Sequence, residues 1–251
     1  MKIRRKEVRN VKVLVACEES QRVCTAFREI GHEAYSCDVQ ECSGGHPEWH
    51  IQGDVLPYID GNCIVTTMDG SAHRIDGTWD LLIAHPPCTY LSNAGARHLW
   101  KGHVLNQERY AKGLDAKNFF LKFLNANCPK ICVENPVPSR VYELPKYTQI
   151  IQPYEYGHPY SKRTCLWLKN LPPLQPTDIV EPVGTWCPSG SYSHKHGSQH
   201  KGLFTKDRAK NRSKTFLGIA QAMAQQWGST GNGGAVGRRS YQGAVGGLHD
   251  M

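Results

Sequence analysis

Short apolar segments alternate with helix-like patterns along the first half of the chain. Four segments have strand length: the mainly apolar stretches 11–16, 79–84 and 130–134, and residues 32–37. Apolar residues recur at helical spacing over residues 23–30, and a second helical pattern follows Asn106. Because strands separated by helices form βαβ units, the sequence predicts an α/β fold with a mostly parallel, doubly wound sheet.

The two helical patterns carry end signals. Gly31 stands where the first helix should end, and Asn106 can cap the start of the second. Pro129 then breaks the second pattern. We expect the second helix to bury four residues on one face: Tyr110, Leu114, Leu121 and Leu124.

Polar and reactive residues follow the predicted strands at their carboxyl ends. They are Cys17–Ser20, Asp38, His85–Cys88 and Glu134. In parallel α/β sheets the ligand lies in the crevice outside these strand ends. The sequence therefore predicts that these residues line one site.

The first two strand ends suggest a nucleotide-like cofactor. Asp38 lies 21 residues beyond Cys17, close to the spacing at which a carboxylate binds ribose hydroxyls in dinucleotide-binding folds. The turn has no glycine fingerprint, and Glu18 and Glu19 would repel a pyrophosphate at the helix N-terminus. These residues favour a cofactor without phosphates or with a positive centre. The alternative is that Asp38 is an ordinary acidic loop residue.

Cys88 and Glu134 are candidates for covalent catalysis. Cys88 follows two prolines directly after a buried strand, and a cysteine thiolate is a strong nucleophile near neutral pH. We expect burial to raise the pKa of Glu134, so that this residue can act as an acid. Taken singly, a buried cysteine is more often an inert core residue and a carboxylate a hydrogen-bonded loop residue. The two together are more specific than either alone.

Five segments resemble, in the same order, the motifs of cytosine-5 DNA methyltransferases. Segments 86–95 (PPCTYLSNAG) and 130–136 (KICVENP) are similar to that family's Pro-Pro-Cys loop and Glu-Asn-Val segment. Segments 53–55, 156–164 and 213–216 resemble its adenine-contacting turn, its arginine-containing segment and its final segment. The resemblance implies a Rossmann-like, S-adenosylmethionine-dependent methyltransferase fold.

The resemblance also implies a division of the chain. Residues 1–10 form a basic N-terminal extension, and residues 11–228 form the methyltransferase domain. A basic insertion occupies about residues 181–212 of this domain. Residues 229–251 are rich in glycine and are expected to be a flexible tail.

The resemblance implies methyl transfer from S-adenosylmethionine to carbon 5 of cytosine in DNA. By this resemblance, Cys88 attacks carbon 6 and Glu134 protonates ring nitrogen 3. Arg163 has a supporting catalytic role. The cofactor-binding residues that it implies are Ala16, Cys17, Glu18, Glu19, Ser20, Asp38, Val39, Asp54, Val55, His85, Pro86 and Thr215. The nucleic-acid-binding residues expected here are Ser92, Lys162, Lys201, Lys206 and Lys210.

The chain departs from the family motifs at several positions. Ala16–Ser20 replaces a Phe-x-Gly-x-Gly turn, Thr89 replaces glutamine, and Pro136 replaces valine. Lys162 stands in an arginine position, and Arg163 falls one residue out of register. Only about 45 residues stand where the family carries its target-recognition domain. A catalytically silent relative, or a protein that modifies RNA or nucleotide pyrimidines by thymidylate-synthase-like chemistry, is therefore the alternative.

The basic charge of the chain is local. The net charge is +8; residues 1–10 carry +4 and residues 195–214 carry +6, so the rest of the chain carries −2. Such clusters are expected of phosphate contacts, so we expect DNA as the partner, with solvated surface lysines as the alternative. The sequence has no apolar stretch long enough to span a membrane and no secretory signal. We therefore expect a cytoplasmic monomer with reduced cysteines.

Two groups of cysteine and histidine have spacings typical of zinc ligands. The first group is Cys37, Cys42, His46 and His50, and the second, looser group is Cys187, His194, His196 and His200. Because Cys37 belongs to the strand that leads to Asp38, a metal there would interfere with the cofactor pocket. We expect no metal at either group.

Overall fold

The computed structural model describes residues 10–96, 98–186 and 208–228. Its strands are β1 Lys12–Ala16, β2 Glu33–Asp38, β3 His50–Gln52, β4 Cys63–Thr66, β5 Ala72–Ile75, β6 Leu81–Ala84, β7 Trp100–Lys101, β8 Val104–Leu105, β9 Ile131–Pro136, β10 Gln149–Ile151, β11 Tyr160–Ser161, β12 Thr164–Lys169 and β13 Gly184–Thr185. Its α-helices are α1 Arg22–Glu29, α2 Asn93–Ala96, α3 Gln107–Leu124, α4 Arg208–Ser213 and α5 Leu217–Trp227. The basic extension (up to residue 9), residues 187–207 and the glycine-rich tail lie outside the described residues.

Seven strands form the central sheet, in the order β10-β12-β9-β6-β1-β2-β3. The five strands β9, β6, β1, β2 and β3 are parallel to one another. β12 is antiparallel to both β9 and β10 and lies between them. The prediction of an α/β fold with a mainly parallel sheet is confirmed, and the order is compatible with a Rossmann-like fold.

Alternating side chains of the central strands enter two apolar cores. On one face, Val13, Val15 and Ile83 pack with the apolar sides of α1 and α5. On the other face, Leu14 and Leu82 pack with α3. Because successive side chains of a strand point to opposite faces, β1 and β6 are buried on both sides and read as continuous apolar runs.

The signals at the helix ends agree with the structure. Gly31 has φ of +88° and follows the last residues of α1. Asn106 precedes α3, and its side-chain oxygen accepts a hydrogen bond of 3.0 Å from Arg109 N. Both residues do what their chemistry favours, since glycine tolerates a positive φ and asparagine is a good N-cap.

The predicted buried face of α3 is right in part: Tyr110, Leu121 and Leu124 are half-buried and pack against the core, whereas the prediction for Leu114 is wrong. The buried residues of this helix are Gly113, Phe120 and Phe123, whereas Leu114 is 38% exposed. Gly113 faces Tyr142, and a Cβ at this position would lie 2.0 Å from the tyrosine ring. The helix therefore turns its glycine toward Tyr142, and successive residues point about 100° apart around the helix. Leu114, one position on, is consequently turned away from the core.

Several short elements had no sequence prediction. β4 and β5 form an antiparallel hairpin between β3 and β6, and β7 and β8 form a second hairpin before α3. No helix in the described part of the chain is both long and apolar enough to cross a membrane.

Candidate active site

The carboxyl ends of β1, β2, β6 and β9 meet at one edge of the sheet. Backbone hydrogen bonds join the residues that follow these strands: Glu18 N donates to Cys37 O at 3.2 Å, and His85 N donates to Ala16 O at 2.9 Å. The chain leaves β1 toward β2 on one side, and β6 lies on the other side. This change of direction is where ligands bind in open α/β sheets.

Glu18 caps the first helix. Its carboxylate accepts hydrogen bonds from Val23 N at 2.7 Å and from Cys24 N at 3.2 Å, and the residue is buried. Burial raises the pKa of Glu18, against a lowering by the charge of His85 and by the two N–H donors. The helix N-terminus, which binds pyrophosphate in dinucleotide-binding folds, is thus occupied by a carboxylate of the chain itself.

Gln21 ties a distant loop to this turn. Its side chain donates to His46 O at 2.8 Å and accepts from His46 N at 3.1 Å. Gly44 lies so close that a Cβ there would approach the Gln21 side chain to 2.5 Å. Ser43 N donates to Glu19 O at 2.8 Å, and Lys214 Nζ lies 3.3 Å from Ser43 Oγ. Glu19 and Ser20, both predicted cofactor residues, are buried.

Two acidic residues lie close to Cys17. Asp38 ends β2 and is half-buried, whereas Asp54 is exposed. Burial raises the pKa of the Cys17 thiol, and the charges of Asp38, Cys37 and Asp54 raise it further. The structure therefore brings Cys17, Asp38 and Asp54 together, as the cofactor prediction requires. Of the neighbouring predicted residues, Val39 is exposed and Val55 lies in the core.

The loop that carries Cys88 is fixed to β9. Asn135 is buried, and its Nδ2 donates to Pro86 O at 2.9 Å. Ser92 N donates to Cys88 O at 3.1 Å, and Ser92 Oγ accepts from Gly95 N at 3.2 Å. Ser92, which we predicted to bind nucleic acid, is buried and holds this loop. Cys88 itself is half-buried beside β9.

Glu134 and His85 form a buried pair. Their Oε2 and Nδ1 atoms lie 3.2 Å apart, and the side chains are 16% and 7% exposed. Burial alone raises the pKa of Glu134, but the hydrogen bond from His85 and the charges of Lys162 and His85 lower it below its ordinary value. The expectation of a raised pKa is therefore wrong: the sequence showed the burial but not the histidine from the neighbouring strand.

Cys88 lies within electrostatic reach of the same groups. Burial raises the pKa of its thiol, and the charge of Glu134 adds to this rise. The charges of Lys162 and Arg212 oppose it. Cys88, Glu134 and the two cations are therefore neighbours, although they come from four separate parts of the chain.

Lys162, rather than Arg163, is the cation that β11 and β12 direct to the site. Lys162 Nζ donates to Arg212 O at 2.8 Å, whereas Arg163 is exposed. Residues 212–218, which we call the closing segment, also contact α1: Arg22 donates to Thr215 O at 2.7 Å. Sequence reasoning did not single out Arg212, whose only signal is its place in the basic run. Lys201 and Lys206 lie outside the described residues, as does the side chain of Lys210.

The first zinc-like group does not assemble. His50 uses both ring nitrogens, with Ser36 Oγ at 2.8 Å and Gln40 O at 2.9 Å. His46 stacks on Trp49 with ring centroids 3.8 Å apart. Within the described ranges, no three histidine, cysteine or acidic residues are grouped to hold a metal ion. The second group lies outside these ranges.

No protein-family model matches the chain, and no curated protein matches it.

Proposed function

We propose that this protein is a DNA cytosine-5 methyltransferase that transfers a methyl group from S-adenosylmethionine through a covalent Cys88 adduct. One observation carries the proposal. A cysteine and a carboxylate from two neighbouring strand ends lie together beside a turn suited to an adenosine cofactor without phosphates. Lys162 adds a positive charge to this pair.

The residues of the turn fit S-adenosylmethionine. The Glu18 carboxylate occupies the helix N-terminus, where a phosphate would meet a negative charge. Asp38 ends β2, the position from which a carboxylate accepts ribose hydroxyls in dinucleotide-binding folds. When bound, the cofactor supplies an electrophilic methyl group on a positively charged sulfur, and nearby carboxylates favour such a charge.

Cys88 and Glu134 have different roles in the reaction with cytosine, as nucleophile and as proton donor. The Cys88 thiol loses its proton to water, and its sulfur forms a bond to carbon 6 of the ring. Lys162 and Arg212 favour the thiolate form, since their charges lower the pKa of Cys88. Glu134 lies beside Cys88 and delivers a proton to ring nitrogen 3, which makes carbon 5 nucleophilic. Asn135 keeps the Cys88 loop against β9 during these steps.

The closing segment supports nucleic acid as the substrate. Arg212 and Lys214 belong to the basic run of residues 195–214 and lie at the edge of the site. Cations so placed can bind phosphates that flank a target base. A base within a duplex would first be flipped out, at a cost of a few kcal/mol.

A trapping experiment tests the proposal. A fluorine at carbon 5 cannot leave as a proton does, so wild-type protein with S-adenosylmethionine should form a denaturant-resistant complex on DNA that contains 5-fluorocytosine. Cys88→Ser should abolish the complex, and Cys63→Ser, which changes a half-buried cysteine in the β4–β5 hairpin, should not. Trapping that survives Cys88→Ser would assign the nucleophile elsewhere. If wild-type protein binds S-adenosylmethionine but traps no cytosine substrate, it is a catalytically silent relative.

A further inference from the structure

His85 connects two carboxylates that lie at the ends of different strands. Its Nδ1 lies 3.2 Å from Glu134 Oε2 on β9. A positive charge on His85 lowers the pKa of Glu134 and also that of Glu18, in the turn after β1. The imidazole ring is 7% exposed, and its Nε2 is buried with no hydrogen-bond partner among the described residues.

The proposed chemistry needs a proton that Glu134 does not readily hold. The hydrogen bond from His85 and the charge of Lys162 lower the pKa of Glu134 despite its burial. An ionised carboxylate cannot donate a proton to ring nitrogen 3. The nearest N–H that the structure places against this carboxylate is that of His85 Nδ1.

We propose that His85 is a positioning residue that supplies, through Nδ1, the proton that Glu134 delivers to ring nitrogen 3 of the target cytosine. This inference rests on the proposed function. His85 acts through Glu134 and need not touch the base.

The step balances in atoms and electrons. The Cys88 sulfur forms its bond to carbon 6 with its own electron pair. The pair of the carbon 5–carbon 6 double bond moves to form a carbon 4–carbon 5 double bond, and the pair of the carbon 4–nitrogen 3 double bond becomes a lone pair on nitrogen 3. This lone pair takes the proton from Glu134, which takes one from His85 Nδ1, leaving a neutral imidazole. When the thiolate leaves carbon 6, the nitrogen 3 proton returns by the same route.

Two carboxylates face His85 from different elements. Glu134 approaches it from β9, and Glu18 lies in the turn after β1. The other titratable groups described around Glu134 are Lys162 on the turn before β12, Cys88 on the loop that follows His85, and the buried thiols of Cys132 in β9 and Cys165 in β12. Both partners are largely buried, and His85 is the N–H donor that the fold itself holds against Glu134.

The pH dependence of trapping separates this role from a structural one. For the wild-type protein, the rate of 5-fluorocytosine trapping at saturating cofactor should be bell-shaped with pH. The rising limb reports the Cys88 thiolate, and the falling limb reports the loss of the His85 proton. His85→Gln retains an N–H donor for Glu134 but cannot release a proton. We expect this variant to trap at least ten times more slowly and to lack the falling limb. His73→Gln, in β5, should retain the wild-type profile.

A second measurement tests the same role without His85→Gln, in case that variant folds poorly. In protein with ¹⁵N-labelled histidine, the resonances of His85 should titrate at a different pH in Glu134→Gln than in wild type, because the shared proton is lost. Two outcomes would overturn the inference but leave the proposed function standing. One is an unchanged bell-shaped profile of trapping by His85→Gln, and the other is a His85 titration that is the same in Glu134→Gln as in wild type. If wild-type protein traps nothing while the His85 titration does respond to Glu134→Gln, the proposed function fails and the proton route to cytosine falls with it.

Discussion

Replacement of Glu18 tests how the first turn is stabilised. Its carboxylate is the acceptor for Val23 N and Cys24 N, at the second and third positions of α1. Gln21, directly before the helix, makes no side-chain cap, so Glu18 supplies the cap from three residues further back. In Glu18→Ala both N–H groups lose their acceptor within the buried first turn.

The magnitude follows from these two donors. Each buried N–H left without a partner costs about 1–3 kcal/mol, and loss of an N-cap typically costs about 0.5–2 kcal/mol. Removal of a buried carboxylate offsets part of the loss, because its charged form is poorly solvated. We therefore expect Glu18→Ala to lower the free energy of unfolding by about 2–3 kcal/mol. Glu18→Gln should cost less, since its amide oxygen can still accept one of the two hydrogen bonds.

Urea denaturation followed by circular dichroism at pH 7 measures both variants. Glu29→Ala is the matched control, because Glu29 is an exposed glutamate at the other end of the same helix. Its effect should stay within about 0.5 kcal/mol. The m-value should not change, since the same surface is exposed on unfolding. A loss below about 0.5 kcal/mol in Glu18→Ala, or an equal loss in Ala and Gln variants, would refute the capping role.

Three further perturbations have outcomes set by the structure. Gly113→Ala should destabilise the protein by about 1–3 kcal/mol in urea denaturation, because its Cβ would lie 2.0 Å from the Tyr142 ring. Lys162→Met should slow the alkylation of Cys88 by iodoacetamide at pH 8 by about threefold or more, measured by mass spectrometry of the Cys88 peptide, since the lysine charge lowers the pKa of that thiol. Burial raises the pKa of Glu18, so the folded chain binds its proton more tightly than the unfolded chain does. The free energy of unfolding should therefore fall as the pH rises above about 4.3, the ordinary glutamate value, and Glu18→Gln should flatten this slope in urea titrations between pH 4 and 8.

Exposed neighbours provide the controls for the first two experiments. Asp115→Ala on α3 and Lys146→Met before β10 change exposed side chains, and both should behave as wild type. A stable Gly113→Ala would mean that α3 can move away from Tyr142. Unchanged alkylation in Lys162→Met would remove the lysine from the surroundings of Cys88. A slope that persists in Glu18→Gln would assign the pH dependence to another carboxyl group.

The central strands could be predicted because their signal is local. β1, β2, β6 and β9 begin and end within three residues of the predicted bounds. β1 and β6 are buried on both faces and therefore read as apolar runs. The rule that parallel strands share their carboxyl edge then brings Asp38, His85 and Glu134 together without further information. β12 carries an apolar run, Cys165–Leu168, which the sequence analysis did not use, and β10 has only three residues. β12 pairs with both β9 and β10.

Other features of the site depend on residues far apart in the chain. The face of α3 is chosen by the close approach of Gly113 to Tyr142. The pKa of Glu134 depends on His85, which lies 49 residues earlier. The cation beside Cys88 is Lys162, and its ammonium is held by the Arg212 carbonyl oxygen 50 residues later. A pattern within one segment carries no information about contacts of this kind.

The closing segment is the last part of the site to be synthesised. Proteins are synthesised from the N-terminus, so the strands that carry Cys88 and Glu134 leave the ribosome well before residues 212–218 do. Until then Lys162 lacks the Arg212 carbonyl oxygen that holds it, and Cys88 lacks the Arg212 charge that lowers its pKa. In a nascent chain the Arg212 charge that opposes the effect of burial on Cys88 is therefore missing. The surroundings of this thiol are complete only once α5 has docked on α1.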